Sequence, residues 1–254
     1  MNTNRDDVTR LLRQVAELGG PDLYLEATTA AGLRDIIAGR STRGTQPAAL
    51  TTEDHSANVA APEPASLATL RTLEVLSAGA AACTRCRLHA SRTQVVFGEG
   101  HANADVAIVG EAPGRDEDRT GRPFVGRAGK LLDLLLLCVG FPRENVYICN
   151  VLKCRPPENR NPLPDEMDPC ATHHLHAQLA AVAPRVILTV GRFAIQALLG
   201  TDVAVGRLRG RIHTYRDTPT IVSYHPAYLL RSPNMVPAVW DDLQLLRTVL
   251  DEQT

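Results

Sequence analysis

The sequence predicts an α/β protein of three layers, α/β/α, whose central and mainly parallel sheet has four strands. Two observations carry this prediction. Short apolar segments alternate with longer segments of helical character from about residue 67 onward. The apolar segments also lack the apolar–polar alternation of a strand with one face in water. That pattern is typical of parallel strands covered by helices on both faces.

The predicted strands are the short apolar runs, and the predicted helices are the longer stretches that begin or end at proline or glycine. Pro164 stands at the entry of one helix, and Gly140 and Gly200 follow the ends of two others. The strands are predicted at 106–110, 146–153, 185–191 and 220–225. The helices are predicted at 127–140, 165–182, 192–199 and 236–251.

The first 66 residues differ from the rest and predict an arm joined to the domain by a linker. We expect a helical arm over 1–40, a flexible linker over 41–66 and the compact domain over 67–254. The linker is rich in small and polar residues and in proline. Apolar residues recur at helical spacing in the arm, at Val8, Leu11, Leu12, Val15 and Leu18. This apolar face is a candidate surface for a protein partner.

Composition and charge exclude several classes of protein. Hydrophobic residues make up 44% of the chain and charged residues 22%, ordinary values for a globular protein. The net charge of −1 excludes a basic coat over the whole chain, so binding of nucleic acid requires local positive charge. The start of the chain lacks the basic and apolar regions of a signal peptide, and no apolar run approaches the roughly 20 residues of a membrane helix. We therefore expect a cytoplasmic protein with no membrane association, and we expect a monomer.

Polar segments stand where three of the predicted strands end. The segment 110–114 (GEAPG) follows the first strand, Asn150 lies within or just beyond the second, and His225 ends the last. Ligands bind at the carboxyl ends of strands in such sheets, so these segments predict one binding site. A nucleotide cofactor is not supported, because Arg127 and Ala128 stand where a phosphate loop needs Lys and Ser or Thr.

The cysteines predict a metal centre. The chain has six: Cys83, Cys86, Cys138, Cys149, Cys154 and Cys170. Disulfides are not expected in a cytoplasmic protein. The first two form a C-x2-C pair, and the last two flank a long proline-rich segment. Because a second C-x2-C is missing, these four fit an iron–sulfur cluster at least as well as a zinc site, and structural thiols are the remaining alternative. The other two lie in apolar segments and are expected to pack in the core.

Three histidines that follow Cys170 also suggest a metal site. They are His173, His174 and His176. We expect exposed or rim histidines here, because four cysteines already complete a tetrahedral set.

Three motifs, preceded by the C-x2-C pair, carry a resemblance to a known family. They are GEAPGRDEDRTGRPFVGRAGKLL at 110–132, NVLKCRPPENRNP at 150–162 and HPAYLLR at 225–231. In this order, over roughly residues 70–250, the chain resembles the family 4, iron–sulfur uracil-DNA glycosylases. The resemblance implies hydrolysis of the N-glycosidic bond of flipped-out deoxyuridine, in single- or double-stranded DNA, as base excision repair of deaminated cytosine. It also implies a 4Fe-4S cluster on Cys83, Cys86, Cys154 and Cys170.

Beside the resemblance, the chemistry of the residues indicates roles for the site. A glycosylase must extrude a base, bind its edge, stack on its face and stabilise charge as the bond breaks. The amide of Asn150 matches O4 and N3–H of uracil, and His225 can donate to O2 as negative charge develops there. Glu111 is a candidate for orienting water or for offsetting positive charge on the sugar. Phe124 is a candidate stacking platform. The expected uracil-binding set is Gly110, Glu111, Ala112, Pro113, Phe124, Asn150 and His225.

Loop arginines near this edge predict the DNA contacts. The main candidates are Arg155 and Arg231. The resemblance implies an insertion loop after His225 that fills the gap left by the flipped base, and Leu230 is the candidate for its apolar wedge. Further candidates are Arg160, Arg207, Arg209 and Arg211.

Two positions depart from the best-known branch of the superfamily. Ala112 stands where that branch has the aspartate that activates water, and Gly114 stands where it has the tyrosine that excludes thymine. Two alternative functions stay open: a non-catalytic iron–sulfur DNA-binding or redox module, and a relative that cross-links to uracil in DNA.

Overall fold

The computed structural model describes residues 66–253. The predicted arm over 1–40 and the linker over 41–66 lie outside these residues, except for Ser66, and stay predictions. The side chain of Ser66 accepts a hydrogen bond from the backbone N–H of Thr69 and so caps the first described helix.

The sheet has six strands in the order β1-β3-β2-β4-β6-β5. They are β1 (Glu99–Gly100), β2 (Val106–Gly110), β3 (Tyr147–Asn150), β4 (Val186–Val190), β5 (Ile212–Tyr215) and β6 (Thr218–Ser223). The four inner strands are parallel and confirm the four predicted ones. The two edge strands are antiparallel to their neighbours and were not predicted. Sequence patterns missed both because neither contains an apolar run: β1 has only two residues, and β5 is largely exposed.

The helices lie between the strands, as predicted. They are α1 (Leu67–Ala81), α2 (Arg115–Thr120), α3 (Arg127–Cys138), α4 (Pro164–Cys170), α5 (His176–Val182), α6 (Arg192–Leu199), α7 (Val205–Leu208), α8 (Pro226–Leu229) and α9 (Val236–Asp251). Short 3₁₀ turns occupy Arg87–Ala90, Arg143–Asn145, Pro157–Asn159 and Pro233–Met235. α1, α2, α7 and α8 were not predicted as helices. In residues 66–253, no helix is long and apolar enough to cross a membrane.

The helix predicted over 165–182 is divided in the structure. α4 and α5 are joined by a π-helical segment, Ala171–Leu175, in which the turn is one residue wider than in an α-helix. Pro169, which has no N–H to donate, lies just before this segment. The wider turn contains two of the three clustered histidines, His173 and His174.

The core lies on both faces of the sheet. Ala107 and Val109 pack with Leu179 and Ala194 from the helices α5 and α6, and α9 packs against β4 and β6. All residues of β2, β3 and β4 are buried, which explains their continuous apolar sequence. The polar residues that follow these strands therefore start from fixed positions at one edge of the sheet.

Candidate active site

A cleft of about 680 Å³ lies at the carboxyl ends of the parallel strands. Its volume is within the range of small-molecule sites. The predicted residues that line it are Glu111, Ala112, Pro113, Phe124, Asn150, Arg155, His225 and Arg231. Three loops distant in sequence supply them, because β2, β3 and β6 end at the same sheet edge.

Gly110 and Asn150 are paired in register at the ends of β2 and β3. A Cβ atom at Gly110 would lie 2.5 Å from Cζ of Phe124 and closer still to Oδ1 of Asn150. A side chain at position 110 would therefore displace both neighbours. Gly110 does not itself line the cleft but allows an aromatic ring and an amide to approach each other.

Asn150 carries a buried hydrogen-bonding atom without a partner. The residue is only 1% exposed, and its Oδ1 atom has no hydrogen-bond partner among residues 66–253. A buried acceptor of this kind costs roughly 1–3 kcal/mol unless a ligand satisfies it. Its backbone carbonyl accepts a 2.7 Å hydrogen bond from Nζ of the buried Lys153. The backbone at Asn150 is therefore anchored, and its buried side chain offers a free acceptor that suits an incoming N–H group.

Phe124 and His225 form a stacked pair in the cleft. Their ring centroids are 5.6 Å apart and their planes differ by 29°. Phe124 has a φ of 50°, in the left-handed region that few non-glycine residues adopt. The guanidinium of Arg143 donates a 3.1 Å hydrogen bond to its carbonyl, which holds this unusual backbone. The strained loop presents a flat apolar ring toward the cleft.

The environment of His225 determines which ring nitrogen carries the proton. Nδ1 accepts a 3.1 Å hydrogen bond from the backbone N–H of Ala227, as the cap of α8. Burial, together with the nearby charge of Arg231, lowers the pKa of His225 to about 4. The imidazole is therefore neutral at pH 7 with its proton on Nε2, where it can donate a hydrogen bond to a ligand.

Glu111 is an unusually basic carboxylate in the same cleft. Burial raises the pKa of Glu111 to about 7, and the positive charge of Arg192 offsets part of this effect. Near neutral pH, the group can therefore exist as a carboxylate or accept a proton. Such a carboxyl group is suited to general base chemistry or to stabilising positive charge.

Glu117 joins the segment after β2 to the loop that carries Phe124, and sequence reasoning missed it. Its Oε2 atom accepts a hydrogen bond from the N–H of Gly114 at 3.1 Å. Its Oε1 atom accepts two more, from the N–H groups of Val125 and Gly126, each at 2.9 Å. Glu117 is the third residue of α2, a position at which Glu often turns back to cap the helix start, and this signal could have identified it.

The predicted metal ligands line a second cavity, away from the cleft. Cys83, Cys86, Cys154 and Cys170 all contribute to it, with the cationic side chains of Arg85, Arg92 and Lys153. Arg92 donates a hydrogen bond to Sγ of Cys154, and the backbone N–H of Lys153 donates one to Sγ of Cys170, both at 3.4 Å. Within the described part of the chain, no three His, Cys, Asp or Glu side chains are grouped so as to hold a metal ion.

Burial changes the acidity of Cys86, Cys154 and Cys170. It raises the pKa of Cys86 and Cys154, and it raises that of Cys170 to about 11. Thiols of this kind are protonated at neutral pH in the absence of a cationic ligand.

The two remaining cysteines differ in burial. Cys149 is fully buried in β3, as predicted, whereas Cys138 is half-buried at the end of α3.

The histidines differ from one another more than the sequence suggests. His173 is exposed, in agreement with the prediction. Nδ1 of His176 is 2.7 Å from the hydroxyl of Tyr215, with which it forms a hydrogen bond, and the two rings are stacked. His174 is buried and lines the cysteine cavity, so the prediction of a rim residue is wrong for it.

Two of the further arginine candidates are engaged within the protein. Arg160 pairs with the buried carboxylate of Glu166 and lowers its pKa, although it also lines the cleft. Arg209 pairs with the buried Asp242. Replacing Arg209 would leave a buried carboxylate without its partner, which would destabilise the fold. Arg209 is therefore a structural residue rather than a free phosphate contact.

The three main DNA candidates differ in position. Arg155 lines the cleft and donates a 2.7 Å hydrogen bond to Oδ1 of Asn159, and Arg231 also lines it. Leu230 is half-buried at the end of α8 and does not line the cleft. The short helix α8, Pro226–Leu229, separates His225 from Leu230 and Arg231.

Comparison with known proteins agrees with this geometry. The family model of the uracil DNA glycosylase superfamily matches residues 97–244, which is more than half of the chain and includes the three motifs. The chain therefore belongs to the uracil DNA glycosylase superfamily.

Within that superfamily, the chain is similar to type-4 uracil-DNA glycosylases. It is 43% identical to the one from Thermotoga maritima over 185 residues, which cover 71% of this chain and 96% of that protein. It is 44% identical to the one from Archaeoglobus fulgidus over 161 residues, or 60% of this chain and 80% of the relative. Identity to the Sulfurisphaera tokodaii protein of the same type is 38%, over 69% of this chain and 84% of that protein.

Proposed function

We propose that this protein is a monofunctional uracil-DNA glycosylase, which hydrolyses the N-glycosidic bond of deoxyuridine in DNA and leaves an abasic site. The observation that carries the proposal is the unpartnered Oδ1 atom of Asn150, buried beside a flat aromatic ring and a neutral histidine donor. Uracil presents an N–H flanked by two carbonyl oxygens, which is the complement of this set. The similarity to type-4 uracil-DNA glycosylases supports the same substrate.

Base recognition follows from the fixed amide. Oδ1 of Asn150 accepts from N3–H of uracil, while the NH₂ group donates to O4. Cytosine reverses both of these groups, since it has an unprotonated N3 and an amino group at C4. Binding cytosine would leave a buried donor and a buried acceptor of the amide unpaired, which costs several kcal/mol. The ring of Phe124 stacks on the base, and the backbone of the segment 110–114 also contacts it.

Bond cleavage requires charge stabilisation at two places. As the bond from C1′ of the sugar to N1 of the base breaks, its electron pair passes to the uracil ring and negative charge develops on O2. Nε2–H of His225 donates to this oxygen, and because the ring is neutral beforehand the protein keeps a fixed dipole there. Glu111 in its ionised form offsets the positive charge on the sugar and accepts a proton from the attacking water. With Ala112 in place of an acidic residue, Glu111 is the carboxylate of the segment 110–114 for this role.

We further propose that Cys83, Cys86, Cys154 and Cys170 hold a 4Fe-4S cluster. Three properties of the second cavity fit it: four thiols on one cavity, two hydrogen bonds to sulfur, and cationic neighbours that suit an anionic cluster. When bound, the cluster supplies iron–thiolate bonds that cross-link the segment of Cys83 and Cys86 to the segment between Cys154 and Cys170. The cluster takes no part in bond cleavage, since the cleft is lined by other residues.

We also propose that Arg155 and Arg231 contact phosphates and that Leu230 fills the space left by the flipped base. The enzyme is expected to act as a monomer in the cytoplasm, since one chain supplies every proposed role. The expectation of a protein partner for residues 1–40 stays a prediction. A cross-linking reaction is disfavoured, because the segment between Asn150 and Cys170 contains no histidine that could trap the sugar.

The direct test is uracil release. Anaerobically purified protein is incubated in excess with an oligonucleotide that has one uracil, and in parallel with matched cytosine and thymine oligonucleotides. Alkali then cleaves at abasic sites. We expect scission only in the uracil strand. Binding without scission would support the non-catalytic module, and a protein–DNA adduct stable to denaturation would support the cross-linking relative.

A further inference from the structure

His174 carries a buried hydrogen-bonding atom for which the described protein provides no partner. The residue is 7% exposed, and its Nε2 atom finds no donor or acceptor anywhere in residues 66–253. An unpartnered ring nitrogen at this depth costs roughly 1–3 kcal/mol. A fold tolerates such an atom when a group outside the polypeptide forms the missing hydrogen bond.

The position of His174 identifies where that partner lies. Its side chain lines the same cavity as Cys83, Cys86, Cys154 and Cys170. It follows Cys170 by four residues along the continuous helical stretch from α4 through the π segment, which brings the two side chains to one side of the helix. π segments occur frequently at functional sites.

The charges around His174 indicate the chemistry of the partner. The ionisable groups that act on its ring are cationic: Lys153, Arg85 and Arg92, with His173 beside it. Two of these residues already direct N–H groups at cysteine sulfurs, Arg92 at Cys154 and Lys153 at Cys170. An N–H group in this setting is suited to an anionic acceptor, and the cavity offers sulfur.

We propose that Nε2–H of His174 donates a hydrogen bond to a sulfur atom of the iron–sulfur cluster, an inference that rests on the cluster proposed above. His174 is then a positioning residue for the cluster and has no contact with uracil. It forms a third N–H···S interaction, from the side of the cavity made by the π segment. Hydrogen bonds to the sulfurs of a cluster stabilise its more reduced state and so raise its reduction potential.

The test compares three variants of the full-length holoprotein. His174→Phe removes the donor, His174→Gln replaces it with an amide N–H at a similar distance, and His173→Phe is the matched control at an exposed neighbour. Voltammetry and bleaching of the absorbance near 400 nm by an iron chelator are measured under anaerobic conditions. We expect His174→Phe to lower the reduction potential and to speed bleaching roughly ten-fold, as the loss of a hydrogen bond to a charged group implies. His174→Gln should restore most of both values, and His173→Phe should match the wild type.

A measurement on the unaltered protein avoids dependence on the folding of the variants. The wild type is labelled with ¹⁵N-histidine, and its cluster is brought to a paramagnetic state and examined by pulsed EPR. We expect a weak coupling to one histidine nitrogen, as for a hydrogen bond. A strong coupling would make a histidine of this cavity, His174 or His89, an iron ligand. No coupling would leave a buried water as the partner of His174, and each result overturns the proposal.

Two assays on the wild type separate this inference from the proposals on which it rests. Absence of iron from anaerobically isolated protein would remove the cluster and, with it, the role of His174. Uracil release by the same preparation tests the glycosylase function independently. A potential and a bleaching rate for His174→Phe equal to those of His173→Phe, in protein with a full cluster, would refute the role of His174 alone.

Discussion

The ring of Phe124 stacks on the ring of His225, with their centroids 5.6 Å apart. One residue belongs to the loop between α2 and α3, and the other begins α8 after the last strand. Their contact connects the two sides of the cleft, with the amide of Asn150 beside Phe124 at the end of β3. A planar base that enters this cleft meets a stacking surface, a neutral imidazole donor and an amide. Because the protein already sets their positions, less free energy is lost in ordering them for binding and reaction.

We expect His225→Ala to lower the single-turnover rate of uracil excision by about 10²–10³-fold, because it removes the donor to the developing charge on O2. Affinity for the oligonucleotide should change little, since phosphate contacts dominate it. Rapid-quench kinetics with enzyme in excess measure the first quantity and fluorescence anisotropy the second. A wild-type rate would remove His225 from the chemistry.

Asn150→Asp should reduce excision of uracil or weaken discrimination against cytosine. An ionised aspartate has only acceptors, so it cannot donate to O4, and it repels the charge that develops on the leaving base. Parallel single-turnover assays on uracil and cytosine oligonucleotides measure the ratio of rates. A variant with both the rate and the ratio of the wild type would contradict the assignment of the amide to base recognition.

The rate of excision should rise with pH through about 7, because the pKa of Glu111 is raised to that value and the carboxylate is the active form. Below this pH, the rate should fall roughly ten-fold per pH unit. Glu111→Gln should lower the plateau rate and abolish this dependence. His225, with a pKa of about 4, stays neutral throughout the range and does not contribute to the profile. A pH profile of Glu111→Gln that still bends near 7 would assign the ionisation to another group.

Glu117→Ala should lower both stability and the excision rate, because Glu117 lines the cleft and its carboxylate holds two of the cleft's loops together. The substitution leaves the N–H groups of Gly114, Val125 and Gly126 without their acceptor, and hydrogen bonds to a charged group contribute about 1.5–3 kcal/mol. Urea unfolding measures the first effect and single-turnover kinetics the second. Arg119→Ala, at an exposed position of the same helix, is the control. Equal behaviour of the two variants would show that the bridge between the loops is dispensable.

Replacement of Cys83 or Cys170 by Ala should destabilise the fold more than it changes the chemistry, because a cluster outside the cleft cross-links segments of the chain. We expect about four iron and four sulfide per chain in the wild type, with a lower midpoint of thermal unfolding in each variant. The excision rate per folded molecule should be nearly unchanged at low temperature. One zinc and no iron in an anaerobic preparation would contradict the cluster, and loss of chemistry in a fully folded variant would contradict its structural role.

The inner sheet and the position of the cleft were predictable from the sequence, because both depend on local patterns. A strand such as Val106–Gly110 is apolar throughout because both of its faces are buried, and the polar residues after it follow at the sheet edge that the topology requires. The roles proposed for Asn150, Phe124 and His225 depend on the chemistry of each side chain and on motifs contiguous in sequence. These features do not require knowledge of which distant residues meet.

The tertiary structure was needed wherever a role depends on a partner far away in the chain. From its sequence position, Arg209 was a candidate loop residue for a phosphate contact. In the structure it pairs instead with the buried Asp242 on the terminal helix. His174 and His173 are equivalent in sequence, and only the packing of the π segment buries one and exposes the other. The pKa of Glu111 likewise follows from burial, which no local pattern encodes. Burial and pairing arise when segments that are distant in sequence pack together, so their energetic consequences are properties of the folded chain.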